Sequence, residues 1–98
     1  MWLDNARHAN AMASRLAQGF RAMSNLEILF PVQANEVFVA MPESTVSGLE
    51  ALSFKFYRWP ACRPARGVAI RLVTSYVTTI EEVDGLLGAT GKLLEDSR

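Results

Sequence analysis

One arginine stands in the middle of a run that otherwise reads as a buried strand. Val68-Ala69-Ile70-Arg71-Leu72-Val73-Thr74-Ser75 is rich in branched residues, a composition that suits a pleated, half-buried surface. Side chains alternate along such a chain, which puts Val68, Ile70, Leu72 and Thr74 on one face and Ala69, Arg71, Val73 and Ser75 on the other. With the aliphatic set turned toward a core, the Arg71 guanidinium projects from the opposite face, a surface that also carries Phe38, Tyr57 and Trp59. Such a surface is too aromatic to be left wholly in water. A planar guanidinium there is suited to bidentate pairing with a carboxylate or a phosphate. The competing explanation is a structural ion pair with Glu36 on the neighbouring strand, and pattern alone makes that the commoner outcome.

The other residues with chemical potential give weaker signals. Phe56-Tyr57-Arg58-Trp59, with Arg63 and Arg66 in the loop behind it, interleaves rings and cations in the way single-stranded nucleic acid is stacked and neutralised. The Gly-flanked aromatic motif of RNA-binding sheets is missing, however, so core aromatics beside a solvated loop are the better reading. His8 and Cys62 are the chain's single histidine and cysteine. That leaves no disulfide framework and no Cys-based zinc site, and His8 reads as an exposed helix residue. Lys55 and Lys92 have no apolar pocket or cationic neighbour in the sequence that would make either a nucleophile. The pairs Glu81-Glu82 and Glu95-Asp96 fit a helix cap and an exposed tail, and no glycine-rich loop stands between a strand and a helix to cradle phosphate.

These residues need elements to place them. Ala9, Met12, Ala13, Leu16, Phe20 and Met23 recur at helical spacing, which predicts a helix over 4–22, with Gly19 marking either a close neighbour or, the preferred reading, its approaching end. Leu26–Phe30, closed by Pro31, and Glu36–Met41, closed by Pro42, read as strands. The Glu43-Ser44-Thr45 cluster then opens a helix over 43–52 with Val46, Leu49 and Leu52 as its stripe. Phe54–Trp59 and Val68–Ser75 form a hairpin whose tip, 60–67, holds two prolines and a glycine. Thr79-Ile80-Glu81-Glu82 has the capping-box form and starts a last helix, with Val83, Leu86, Leu87, Thr90, Leu93 and Leu94 on its buried face. Gly85, Gly88 and Gly91 suggest either close approach of another backbone or a helix that frays, and Glu95–Arg98 a loose tail.

The order α-β-β-α-β-β-α predicts an α+β two-layer sandwich, a mainly antiparallel four-stranded sheet with its helices on one face. A crossover from the second strand to the third leaves a gap that the last strand fills. The 98 residues, half of them hydrophobic, suffice for one domain spanning 1–98 that buries about 60% of the unfolded chain's surface or a little more. Ten Lys and Arg balance ten Asp and Glu, for a net charge of zero, so no global field gathers nucleic acid or anionic lipid. No apolar run approaches the roughly 20 residues that span a bilayer, and the N-terminus lacks a leader pattern, which points to a cytoplasmic protein.

Four segments together carry a family resemblance. Ala34-Asn35-Glu36-Val37-Phe38-Val39, Phe54-Lys55-Phe56-Tyr57-Arg58-Trp59, Val68–Ser75, and Thr78-Thr79 with the Glu81-Glu82-Val83-Asp84 helix resemble the C-terminal domain of the low-specificity threonine aldolases. The opening helix, with Arg7-His8-Ala9-Asn10-Ala11-Met12-Ala13, also fits, so the similarity runs from about Trp2 to Leu87. The resemblance implies a lyase of the aminotransferase-like fold that uses pyridoxal phosphate (PLP) as an electron sink and cleaves threonine or allo-threonine to glycine and acetaldehyde. It implies that Arg71 binds the substrate carboxylate. The family's Schiff-base lysine, ring-stacking histidine, pyridine-nitrogen aspartate and phosphate loop have no counterpart here, and Lys55 and Lys92 do not match the lysine. The expectation is a small domain without a cofactor of its own, inactive alone, whose partner is a large PLP-binding domain, with homo-oligomers also expected. Two alternatives belong to other classes: a self-associating interaction module using the aromatic face, and a weak single-stranded nucleic-acid binder using Arg58, Arg63 and Arg66.

Overall fold

A computed structural model describes residues 2–32 and 34–96. The described residues form α1 (Trp2–Arg21), β1 (Glu27–Ile28), β2 (Glu36–Met41), α2 (Glu43–Ala51), β3 (Tyr57–Arg58), β4 (Val68–Val73) and α3 (Ile80–Asp96). The sheet order is β1-β2-β4-β3, with every neighbouring pair antiparallel. This is the expected α+β architecture, and the last strand fills the gap that the β2-α2-β3 crossover leaves.

The alternation read from the sequence decides which face is sealed. Val37, Val39 and Met41 of β2 and Ile70 and Leu72 of β4 join one cluster with Met12, Leu16 and Phe20 of α1, Val46 and Leu49 of α2, and Val83 and Leu86 of α3. Burial of apolar surface at about 25 cal/mol per Å² makes this contact the main stabilising contribution. Thr74, just past β4, is buried and donates from its hydroxyl to the Ala9 carbonyl at 2.6 Å. Its backbone N–H reaches the Asn35 carbonyl, and its own carbonyl accepts from the Asn35 amide at 2.7 Å. That end of β4 is thereby tied to both α1 and the start of β2.

Several local expectations change. The two edge strands shrink to two residues each, although Leu29 N–H still reaches the Phe38 carbonyl and Trp59 N–H the Ala69 carbonyl. The shortening before β3 has a local cause: Ser53 takes a positive φ of 69°, and Phe54 N–H folds back to the Leu49 carbonyl, closing α2 where a strand was expected. Leu52 caps that helix and stands exposed. Pro42, not Ser44 or Thr45, occupies the N-cap of α2, its carbonyl accepting from Thr45 and Val46. Gly19 lies inside α1 with Leu87 of α3 so near that an added Cβ would come within 2.5 Å of its methyls, so close packing explains this glycine. Gly85 and Gly88, by contrast, face open space. Helix α3 runs through Asp96, absorbing the first half of the expected tail, while Ser97 and Arg98 lie outside the described residues. The Thr79 capping box forms in full: Glu82 N–H donates to the Thr79 hydroxyl at 3.0 Å and Thr79 N–H to the Glu82 carboxylate at 2.9 Å.

Candidate functional site: the outer face of the sheet

The strand register builds the site. Phe38 of β2 and Tyr57 of β3 both pair with Arg71 of β4, so the three side chains share the face turned away from the helices. Glu36 lies two residues before Phe38 and therefore on the same face. Phe38 packs edge-on against Phe30 at 5.3 Å and against Trp59 at 5.5 Å between ring centroids, offset geometries that ring quadrupoles favour. The Arg71 guanidinium carbon lies 5.7 Å from the Tyr57 ring centroid and 5.6 Å from that of Trp59, within cation–π range. Much of this face is open, with Tyr57 62% and Val73 45% exposed.

Arg71 is engaged by one carboxylate oxygen. Its Nε–H donates to Glu36 Oε1 at 2.9 Å, and its Nη2–H donates to the same oxygen. The ion pair anticipated from the sequence therefore exists. The Nη1 edge makes no hydrogen bond among the described residues, and the pair stays partly accessible, with side chains 29% and 38% exposed. A cation held at a fixed position between two rings, with one edge of its fork unclaimed, is chemically equipped to take a second carboxylate.

The remaining charged residues are distributed differently. Arg58 pairs with Ile70, which sets it on the helix side of the edge strand, and binds both Glu43 and Glu50 of α2, each at 2.8 Å. These contacts raise its pKa, first through Glu50 and then Glu43, and hold both carboxyls below their ordinary range, chiefly through hydrogen bonds from Arg58. Arg58 is thus committed to structure although exposed, which leaves Arg63 and Arg66 in the hairpin tip as the arginines of the basic segment without an ion pair among the described residues. On the helix side, Arg15 grips Asp84 through two parallel bonds of 2.9 Å, tying α1 to α3. His8 is half-buried, and its Nε2 bonds to the Thr78 carbonyl, which corrects the expectation of an exposed residue. No sequence pattern marks that contact, because 70 positions separate its partners.

Lys55 is exposed and lines a cleft of about 680 Å³ that also holds Glu81 and Glu82, carboxylates that would repel a phosphate. Lys92 is exposed on α3. Cys62 is a free thiol in the hairpin tip. Among the described residues, no group of three or more His, Cys, Asp or Glu side chains is placed to hold a metal ion, and no helix is long and apolar enough to cross a membrane.

Comparison with solved structures places this architecture. It superposes on part of a Leishmania major threonine aldolase with a TM-score of 0.76, at 24% identity over 89% of this chain and 25% of that one. An Oryza sativa TDC solved with PLP and tryptamine matches with a TM-score of 0.75, at 13% identity over 94% of this chain and 23% of that one. The class is therefore a fold that larger enzymes carry as one part. No family model matches the chain. In sequence it is 34% identical over 82 residues to the low-specificity L-threonine aldolase of Pseudomonas aeruginosa, a match covering 84% of this chain and 22% of the relative. The chain is thus homologous to a portion of the low-specificity L-threonine aldolases, and it spans about a fifth of the length of that relative.

Proposed function

We propose that the chain serves as the small domain of a PLP-dependent threonine aldolase and that Arg71 binds the substrate's α-carboxylate. In this reading the whole enzyme cleaves threonine or allo-threonine to glycine and acetaldehyde. A large domain outside the 98 residues holds the cofactor, and the chain by itself is inactive. The observation that carries the proposal is the half-open guanidinium of Arg71, fixed on the uncovered face of the sheet between Tyr57 and Trp59 with its Nη1 edge unbonded among the described residues. The homology to threonine aldolases supplies the reaction class.

The test joins this chain to the large domain of a related threonine aldolase and measures kinetics beside thermal stability. Arg71→Ala removes a charge-assisted pair worth about 1.5–3 kcal/mol, which lowers kcat/KM by roughly tenfold to over a hundredfold. Arg71→Lys recovers only part, because a point charge replaces a planar fork. A loss of melting temperature with unchanged KM for threonine would refute the assignment and leave Arg71 as a structural partner of Glu36. Self-association through the aromatic face is the second reading, favoured by the exposure of Tyr57 and Val73. It predicts a dimer of the isolated chain that Tyr57→Glu disrupts, read by sedimentation.

A further inference from the structure

We propose that Glu36 is the positioning residue of the carboxylate site at Arg71, and that it sets both the orientation of the guanidinium and its affinity for a small monocarboxylate. The inference rests on the reading of Arg71 given above. A carboxylate facing a guanidinium side-on can give one oxygen to each of two N–H groups. Glu36 instead brings a single oxygen to both Nε–H and Nη2–H. One oxygen suffices to stop rotation about the last side-chain bonds, and the Tyr57 and Trp59 rings restrict the guanidinium further. The edge defined by Nη1 and the second Nη2–H is left to receive another carboxylate end-on.

This arrangement has two opposed effects that substitution can separate. The contact keeps Arg71 from swinging into solvent, so an incoming anion meets a preorganised fork. The negative charge of Glu36, close to the place the incoming carboxylate would take, weakens its binding. With the pair about one third exposed, solvent screens that repulsion to about the level expected in water, near a factor of five at contact distance. Glu36→Gln keeps an oxygen for Nε–H and Nη2–H while removing the charge. Glu36→Ala removes both.

The 98-residue chain has its own contiguous core, so the test uses it directly. Acetate is titrated at constant ionic strength while the Arg71 Nε–H and Trp59 indole resonances are followed by ¹H–¹⁵N NMR. The expected order of affinity is Gln tightest, about fivefold above the parent chain, with Ala below Gln although both have lost the charge. Equal affinity in all three proteins, or equal gains for Gln and Ala, overturns the positioning role while leaving Arg71 as the carboxylate site. No saturable shift at Arg71 in the parent chain or in Glu36→Gln overturns the reading of Arg71 and the positioning role with it. A purely structural Glu36 would move the melting temperature of the variants without changing their acetate affinity.

Discussion

The two faces of one sheet are built to different rules. On the inner face Val37, Val39 and Ile70 are completely buried against three helices, and the core they fill explains them. On the outer face the same strands carry Glu36, Phe38, Tyr57 and Arg71, with Tyr57 more than half exposed. A sheet stabilised from one side tolerates a polar, half-open second side, and on that side the Arg71 cation is held by Glu36 beside two rings. The contrast separates the residues that the core accounts for from those, Arg71 among them, on which the proposed carboxylate site rests.

The largest expected effect lies on the inner face. Ile70→Ala should cost about 2–5 kcal/mol of stability, read by chemical denaturation, because it opens a cavity in a sealed layer. Thr74→Val should cost about 1–3 kcal/mol, since the Ala9 carbonyl loses its 2.6 Å donor at a buried position. A value near zero for either would mean that the inner face is looser than described. On the outer face Tyr57→Ala should change stability by only about 0.5 kcal/mol. A loss as large as that of Ile70→Ala would erase the distinction between the faces.

The smallest effect is acidic. The carboxyls of Glu43 and Glu50 are lowered from the usual 4.5 by hydrogen bonds from Arg58, and Asp84 is lowered from 3.8 by its hydrogen bonds and charge pairing with Arg15. A folded pKa below the unfolded one stabilises fully above the unfolded value, and that stability is lost as pH falls through the lower folded value. The melting temperature should therefore decline below roughly pH 4.5 and keep declining as the folded carboxyls take up protons. In Arg58→Ala that decline should be shallower, because the shifts of Glu43 and Glu50 are gone. These pairs are exposed, so the difference should be small.

Much of this organisation was legible in the sequence because it depends on period. The two-residue alternation of Val68–Val73 set Arg71 opposite the core face, and the spacing of Ala9, Met12, Leu16 and Phe20 set the inner side of α1. The Glu36 partnership could also be anticipated, since register follows once two strands are adjacent. Contacts made by chance of packing were not legible. The His8 to Thr78 bond, the identity of Leu87 as the close neighbour of Gly19 and the capture of Arg58 by α2 each join residues that no local pattern connects. Nor did propensity foresee that Phe54 would fold back on the end of α2 rather than begin a strand, because a turn with Ser53 at positive φ overrode the aromatic run that follows.

The central claim, that Arg71 is the carboxylate site of the outer face, is tested most directly by the structure of the chain joined to a large domain and bound to glycine, the proposed amino-acid product. The expected result is the glycine carboxylate hydrogen-bonded to the Nη1 and Nη2 edge of Arg71, with Nε–H still directed at Glu36. Glycine bound with its carboxylate on other residues, and Arg71 paired with Glu36 alone, would contradict it.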